Sequence, residues 1–174
     1  HVPSCLLMQF LYRLRGTLHA GAVVTQLPKP VVSPFENHRE DRPMISVGDK
    51  MPAATLPRIG AEGPEPVALQ DLTSGRTVAI FAVPGAFTPT CHSAHVPSFI
   101  RTKDQLAAKG VDEIICIAGN DPFVMKAWGE ATGAADAGIT MLADAECTFT
   151  DAIGMRFDAP PAGLIGRSKR YAMV

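Results

Sequence analysis

The chain has little that ties it to a charged polymer, a membrane or a metal. Its 16 basic and 17 acidic residues nearly cancel, giving a formal net charge of -1. Such a balance offers no basic surface for nucleic acid. No apolar run approaches the roughly 20 residues of a membrane-spanning helix. The longest near the start, Cys5 to Tyr12, is short and is followed by Arg13 and Arg15. That order is the reverse of a secretory signal, in which the basic residues come first. The four cysteines, Cys5, Cys91, Cys116 and Cys147, are widely spaced and form no CxxC or CxxxC pair. Their spacing argues against a structural zinc site. A secreted disulfide scaffold would be smaller and denser in cysteine, so a reducing compartment with free thiols fits better. Gly75, Gly163 and Gly166 do not make a phosphate-binding pattern.

What is present is enough apolar material, 47% of 174 residues, for the core of one domain. Residues 1–43 stand apart. They show no sustained periodicity and carry Pro28, Pro30, Pro34 and Pro43 beside the charged stretch Glu36 to Arg42. They read as a disordered leader, upstream read-through or a targeting tail. Residues 1–34 hold basic but no acidic residues, a weak likeness to an organellar presequence. The expected location is cytoplasmic, with mitochondrion or plastid as the alternative if that segment is genuine targeting sequence.

Residues 44–174 are punctuated as an α/β domain. Met51 to Leu56 suggests a first strand or extended segment, and Val67 to Leu72 leads into a turn at Ser74-Gly75. Arg76 to Val83 is a continuous apolar run of strand length, as expected of a strand covered on both faces. Pro84 to Cys91 is then a turn and a helix start. Val96, Phe99, Ile100, Leu106 and Ala107 recur at helical spacing on one face, with a stop near Lys109-Gly110. Glu113 to Ala118 reads as a second buried strand. Asp121-Pro122 begins another helix, with Phe123, Val124, Ala127, Trp128 and Ala131 as its inner face. Ile139 to Ala143 reads as a third strand, Phe149 to Met155 as a short helix, and Tyr171 to Val174 as a fourth strand. The alternation is that of a sheet with helices packed on it. The sequence stops inside that last strand, so the expectation is a domain whose C-terminal strand and helix are missing.

Cys91 is the residue this pattern singles out. A strand, a tight Pro-Gly turn and a Thr-Pro-Thr helix start place its sulfur in the first turn of a helix. Unpaired N–H groups there carry partial positive charge and favour thiolate, the nucleophilic form. Attack on a peroxide also requires the O–O bond to be held in line and the leaving oxygen to be stabilised. Thr88 supplies a hydroxyl, Pro84 an apolar shield without an N–H, and Arg170 a cation.

Pro84-x-x-x-Thr88-x-x-Cys91 resembles the peroxiredoxin active-site signature. The whole run Val83-Pro-Gly-Ala-Phe-Thr-Pro-Thr-Cys-His-Ser-Ala-His-Val-Pro-Ser-Phe99 is similar to the type II, peroxiredoxin-5-like subfamily. So are Lys109-Gly-Val-Asp-Glu-Ile-Ile-Cys116, Asn120-Asp-Pro-Phe-Val-Met-Lys-Ala-Trp128 and Arg167-Ser-Lys-Arg-Tyr-Ala-Met173. The likeness runs from about Ile45 to Val174. It implies a thioredoxin-like fold, a central mixed β-sheet flanked by helices. It implies thiol-dependent reduction of hydrogen peroxide and organic hydroperoxides, without metal or prosthetic group, through a sulfenic acid on Cys91. Glutaredoxin with glutathione, or thioredoxin, would regenerate the thiol. The family's active-site arginine carries over to Arg170, with Arg167 and Arg156 fitting less well. A homodimer with Phe87 at its contact face is also implied, and no nucleic-acid or membrane partner.

Other residues divide between plain and functional readings. Cys116, within Ile114-Ile-Cys-Ile117, reads first as a buried strand residue; plant type II relatives suggest it as a resolving thiol. A disulfide to Cys91 would need Cα atoms within about 7 Å, hence local unfolding if Cys116 is buried. Cys147 is expected at an exposed helix start. His92 and His95 flank the nucleophile, where packing or hydrogen bonding outweighs a metal or protease-like pairing with Cys91. Trp128 and Phe123 read as core or interface aromatics. Competing functions are a dithiol oxidoreductase, which lacks a second cysteine beside Cys91, and a non-enzymatic redox sensor.

Overall fold

The computed structural model describes residues 43–174. The reading of the N-terminal segment as leader or targeting tail therefore falls outside the described residues, apart from Pro43. The centre is a four-stranded mixed sheet. Its strands are β3 (Val78–Val83), β4 (Glu113–Ala118), β5 (Thr140–Ala143) and β8 (Tyr171–Met173), ordered β5-β4-β3-β8. β3 pairs parallel with β4, and β4 with β5, while β8 runs antiparallel to β3. All six residues of β3 are buried, as are five of the six in β4. This is why both read as unbroken apolar runs rather than alternating ones.

Helix α2 (Val96–Ala108) and helix α3 (Pro122–Thr132) cover one face, where Phe81, Val96, Cys116, Met125 and Trp128 share a core. The other face holds Leu56, Leu69, Ile80, Ile115, Leu142 and Phe149. The short helices α1 (Leu69–Thr73) and α4 (Thr148–Ala152) contribute to that second layer.

Several local expectations shift. The first strand is not Met51 to Leu56 but β1 (Thr55–Gly60), paired antiparallel with β2 (Gly63–Ala68) in a separate hairpin. Pro57, Pro64 and Pro66 lie inside that hairpin. Proline lacks a ladder donor and ordinarily signals a strand's absence. A second hairpin, β6 (Arg156–Ala159) with β7 (Leu164–Ser168), has no counterpart in the sequence reading. Its strands are short, half-exposed and interrupted by a register shift, so neither periodicity develops.

Helix α3 starts as expected, with the Asp121 carboxylate accepting the Val124 N–H at 2.9 Å and Pro122 at the first turn. Its buried face, however, is Met125, Trp128 and Gly129, and Phe123 is 64% exposed. The apolar residues of this helix nearly encircle it, so hydrophobicity alone does not fix its rotation. On α2, Ala107 likewise faces solvent. Cys147, expected at an exposed position, is only 1% exposed. It precedes α4 in a left-handed conformation (φ 58°) with its sulfur tucked against Gly166 of β7.

Candidate active site

The sheet topology brings three segments to one edge. Parallel strands β3 and β4 both end there, at Val83 and Ala118, and antiparallel β8 begins there at Tyr171 opposite Ala82. The segment Pro84–Thr90, the pair Gly119-Asn120, and Arg170 thus meet beyond the carboxyl ends of the strands. Ligands of open α/β sheets bind at such ends.

Cys91 opens a π-helical turn, Cys91–His95, that runs into α2. The expected plain α-helix start is replaced by this wider turn, a form that occurs mostly at functional sites. The sulfur is buried, with Cys91 1% exposed. Arg170 donates to it: Nη2 lies 3.3 Å from Sγ. The other terminal nitrogen, Nη1, lies 2.7 Å from His95 Nδ1. Arginine has only donors, so His95 Nδ1 is the acceptor and carries no proton. His95 therefore orients the guanidinium rather than serving as a base on the thiol. Burial, and secondarily the Arg170 charge, push the His95 ring below its ordinary value of 6.5. Its ring is fixed by Phe81 at 5.4 Å, edge-on, and by Phe99 at 5.5 Å, with Phe81 and Phe99 stacked at 3.9 Å.

The loop before Cys91 is held at both ends. The Thr88 hydroxyl donates to the Gly85 carbonyl at 2.9 Å, and the Thr88 carbonyl accepts the His92 N–H at 2.9 Å. With its proton engaged, the Thr88 hydroxyl has only oxygen lone pairs left, so toward any further partner it is an acceptor. Pro84 is half-buried at the end of β3. Phe87 takes a positive φ of 58° and is 53% exposed.

Three neighbours have no role here in the sequence reading, in which Arg167 fits the arginine position less well than Arg170. Asn120, which read only as part of a helix start, accepts the Ala86 N–H through Oδ1 at 2.9 Å and so holds the loop from β4. The useful signal was topological, since Asn120 stands two residues after β4 much as Pro84 stands one after β3. Arg167 brings Nη1 within 3.4 Å of where a Cβ on Gly85 would lie. Its Nε and Nη1 are buried with no hydrogen-bond partner among the described residues. Gly119 is crossed so closely by the Gly166 carbonyl that a Cβ there would overlap it; this packs β7, and with it Arg167, against the end of β4. The third neighbour is Trp128, whose indole N–H donates to His92 Nδ1 at 3.2 Å.

Cys116 lies in the same core as Cys91, on β4 opposite Phe81. It is fully buried, and burial first and the nearby Cys91 second push its thiol far up. Burial likewise raises the Cys147 thiol. Cys91, Cys116 and Cys147 are all free thiols. Among the described residues, no group of three or more His, Cys, Asp and Glu side chains comes together as a metal site.

The Redoxin family description matches residues 46–174. A rice (Oryza sativa subsp. japonica) protein named peroxiredoxin-2E-2, chloroplastic, is 48% identical over 75% of this chain and 60% of its own length. Rice peroxiredoxin-2C is 43% identical over 75% of this chain and 80% of its own. This chain thus spans three fifths of the first relative and four fifths of the second. Among solved structures, reduced Prx3 in complex with H2O2 from Vibrio vulnificus is 50% identical. It superposes with a TM-score of 0.69 over 75% of this chain and 80% of that one. The chain therefore belongs to the peroxiredoxin family, whose members are thiol-dependent peroxidases.

Proposed function

We propose that this chain reduces hydrogen peroxide and organic hydroperoxides with Cys91 as nucleophile. The observation that carries the reading is the 3.3 Å contact between Arg170 Nη2 and the buried Cys91 sulfur. A fixed cation beside the attacking sulfur lies close to where charge develops on the leaving oxygen. In the first step the thiolate attacks the terminal oxygen of ROOH. An S–O bond forms, the O–O bond breaks, and the departing alkoxide takes a proton from solvent to leave as ROH. Thr88 and Arg170 orient the peroxide, and Pro84 keeps water from that side of the sulfur. In the second step two thiols reduce the sulfenic acid, returning Cys91 as thiol and releasing a disulfide and water.

The electron donor is proposed to be external, glutaredoxin with glutathione or thioredoxin. The burial and raised thiol of Cys116 support a one-cysteine cycle over an internal disulfide. A homodimer is proposed to use the face bearing exposed Phe87. For location, relatives named chloroplastic favour the plastid alternative over the cytoplasmic expectation. Import into isolated plastids, lost when residues 1–43 are removed, tests that.

Intact-mass measurement after one equivalent of hydrogen peroxide tests the chemistry. The expected product is Cys91 bearing one added oxygen, stable until glutathione arrives and absent in Cys91→Ser. Loss of two hydrogens that also disappears in Cys116→Ser would replace the one-cysteine cycle with a Cys91–Cys116 disulfide. No oxidation of the parent chain would overturn the assignment.

A further inference from the structure

His92 directly follows the nucleophile and joins three parts of the molecule. Its backbone N–H is held by the Thr88 carbonyl. Its ring stacks on Phe87, with centroids 6.0 Å apart and planes 20° apart. Its Nδ1 accepts the indole N–H of Trp128, a fully buried residue of α3 and the chain's one tryptophan. Indole nitrogen is a donor only, so this bond requires a lone pair on Nδ1. One side chain therefore ties the loop carrying Phe87 and Thr88, and the π-helical turn carrying Cys91, to a helix that belongs to the rigid core.

We propose that His92 is a positioning residue: its bond to Trp128 latches the Cys91 turn closed and sets how often that turn opens to an attacking thiol reagent. Such opening is required because Cys91 is 1% exposed. A dithiol or an alkylating agent is larger than hydrogen peroxide and depends the more on that opening. Among the described residues nothing else bonds the ring of His92 to the core. Losing a hydrogen bond of this kind shifts an equilibrium by about two- to tenfold. The latch thus favours the closed, peroxide-reactive turn at the expense of the open, reducible one.

The experiment compares the parent with His92→Leu and His92→Asn. Leucine removes the acceptor, whereas asparagine keeps an oxygen near the position of Nδ1. Pulse labelling of the reduced protein with iodoacetamide, read by peptide mass, measures opening without any peroxide. His92→Leu is expected to speed labelling of Cys91 about two- to tenfold, with Cys116 still unlabelled and His92→Asn close to the parent. In the peroxide cycle, which rests on the function proposed above, dithiothreitol should reduce the Cys91 sulfenate faster in His92→Leu by a similar factor. The preceding oxidation step should not gain. A structural defect would instead expose Cys116 and slow both steps together. Unchanged Cys91 labelling in His92→Leu, simultaneous labelling of Cys116, or failure of asparagine to restore the parent rate overturns the latch. Absence of sulfenate in the parent overturns the peroxidase reading alone, because the labelling arm does not depend on it.

Discussion

Arg170 and His95 form a unit in which each residue limits the other. The guanidinium uses one nitrogen on His95 Nδ1 and another on the Cys91 sulfur, so its plane is set by two contacts at once. Lysine has a single ammonium on a flexible stem and does not reproduce that fork. Arg170→Met should lower the second-order rate of Cys91 oxidation about 10²- to 10³-fold, the usual loss for one charge-stabilising donor. Arg170→Lys should recover only part of it. Stopped-flow peroxide consumption measures both. His95 adds a pH dependence. Its pKa lies below 6.5 in the fold, through burial first and the Arg170 charge second. As pH falls below 6.5 the unfolded chain takes up a proton that the folded ring still refuses. The stability from neutral His95 is therefore fully present above 6.5 and is lost between 6.5 and the lowered folded value. Thermal melts at about pH 7 and 5 should show a smaller drop for His95→Asn, which keeps an acceptor for Arg170 but does not titrate. An equal drop in both proteins would remove His95 as the cause.

Elements were legible where one constraint dominated. β3 and β4 are buried on both faces, so their runs Val78–Val83 and Glu113–Ala118 stood out, and Asp121-Pro122 marked the start of α3 by local chemistry alone. Cys91, Thr88 and Pro84 were recognisable because they lie within eight consecutive residues. Where several constraints competed, the sequence was silent. α3 could be rotated because apolar residues surround it, β1 carries Pro57 within its run, and β6 and β7 are half-exposed strands joined across a register shift. Asn120 and Arg167 reach the Pro84–Thr90 loop only through sheet order, which no local pattern encodes. Asn120→Ala leaves the buried Ala86 N–H without its 2.9 Å acceptor, which costs about 1–3 kcal/mol. Gly119→Ala drives a methyl into the Gly166 carbonyl and must push β7 away. Both variants should slow Cys91 oxidation although neither residue touches the sulfur, and denaturant midpoints should fall for both. Full activity in Asn120→Ala would show that the loop holds its shape without β4.

At the scale of the whole molecule, the two cysteines of the shared core report on two different openings. Cys91 sits in a π-helical turn at the sheet's edge, held by a few side-chain bonds. Cys116 sits in the middle of the sheet, on a strand paired on both sides by β3 and β5. Freeing the first requires a local opening that exposes little surface, whereas freeing the second requires separating strands and stripping the core. Sensitivity to denaturant scales with the surface an opening exposes. Thiol labelling across a range of sub-denaturing urea concentrations should therefore separate the two. Cys91 labelling should rise only weakly with urea, and Cys116 labelling steeply, with a slope close to that of global unfolding. While the strand stays covered, burial also holds the Cys116 thiol protonated, and only thiolate reacts, so labelling waits for the opening. Such a separation would leave Cys116 unable to meet a sulfenate on Cys91 within one catalytic cycle and would make the reductant external. Equal, shallow slopes would mean that a single local opening frees both sulfurs, and the internal disulfide would then become the expected route back to the reduced enzyme.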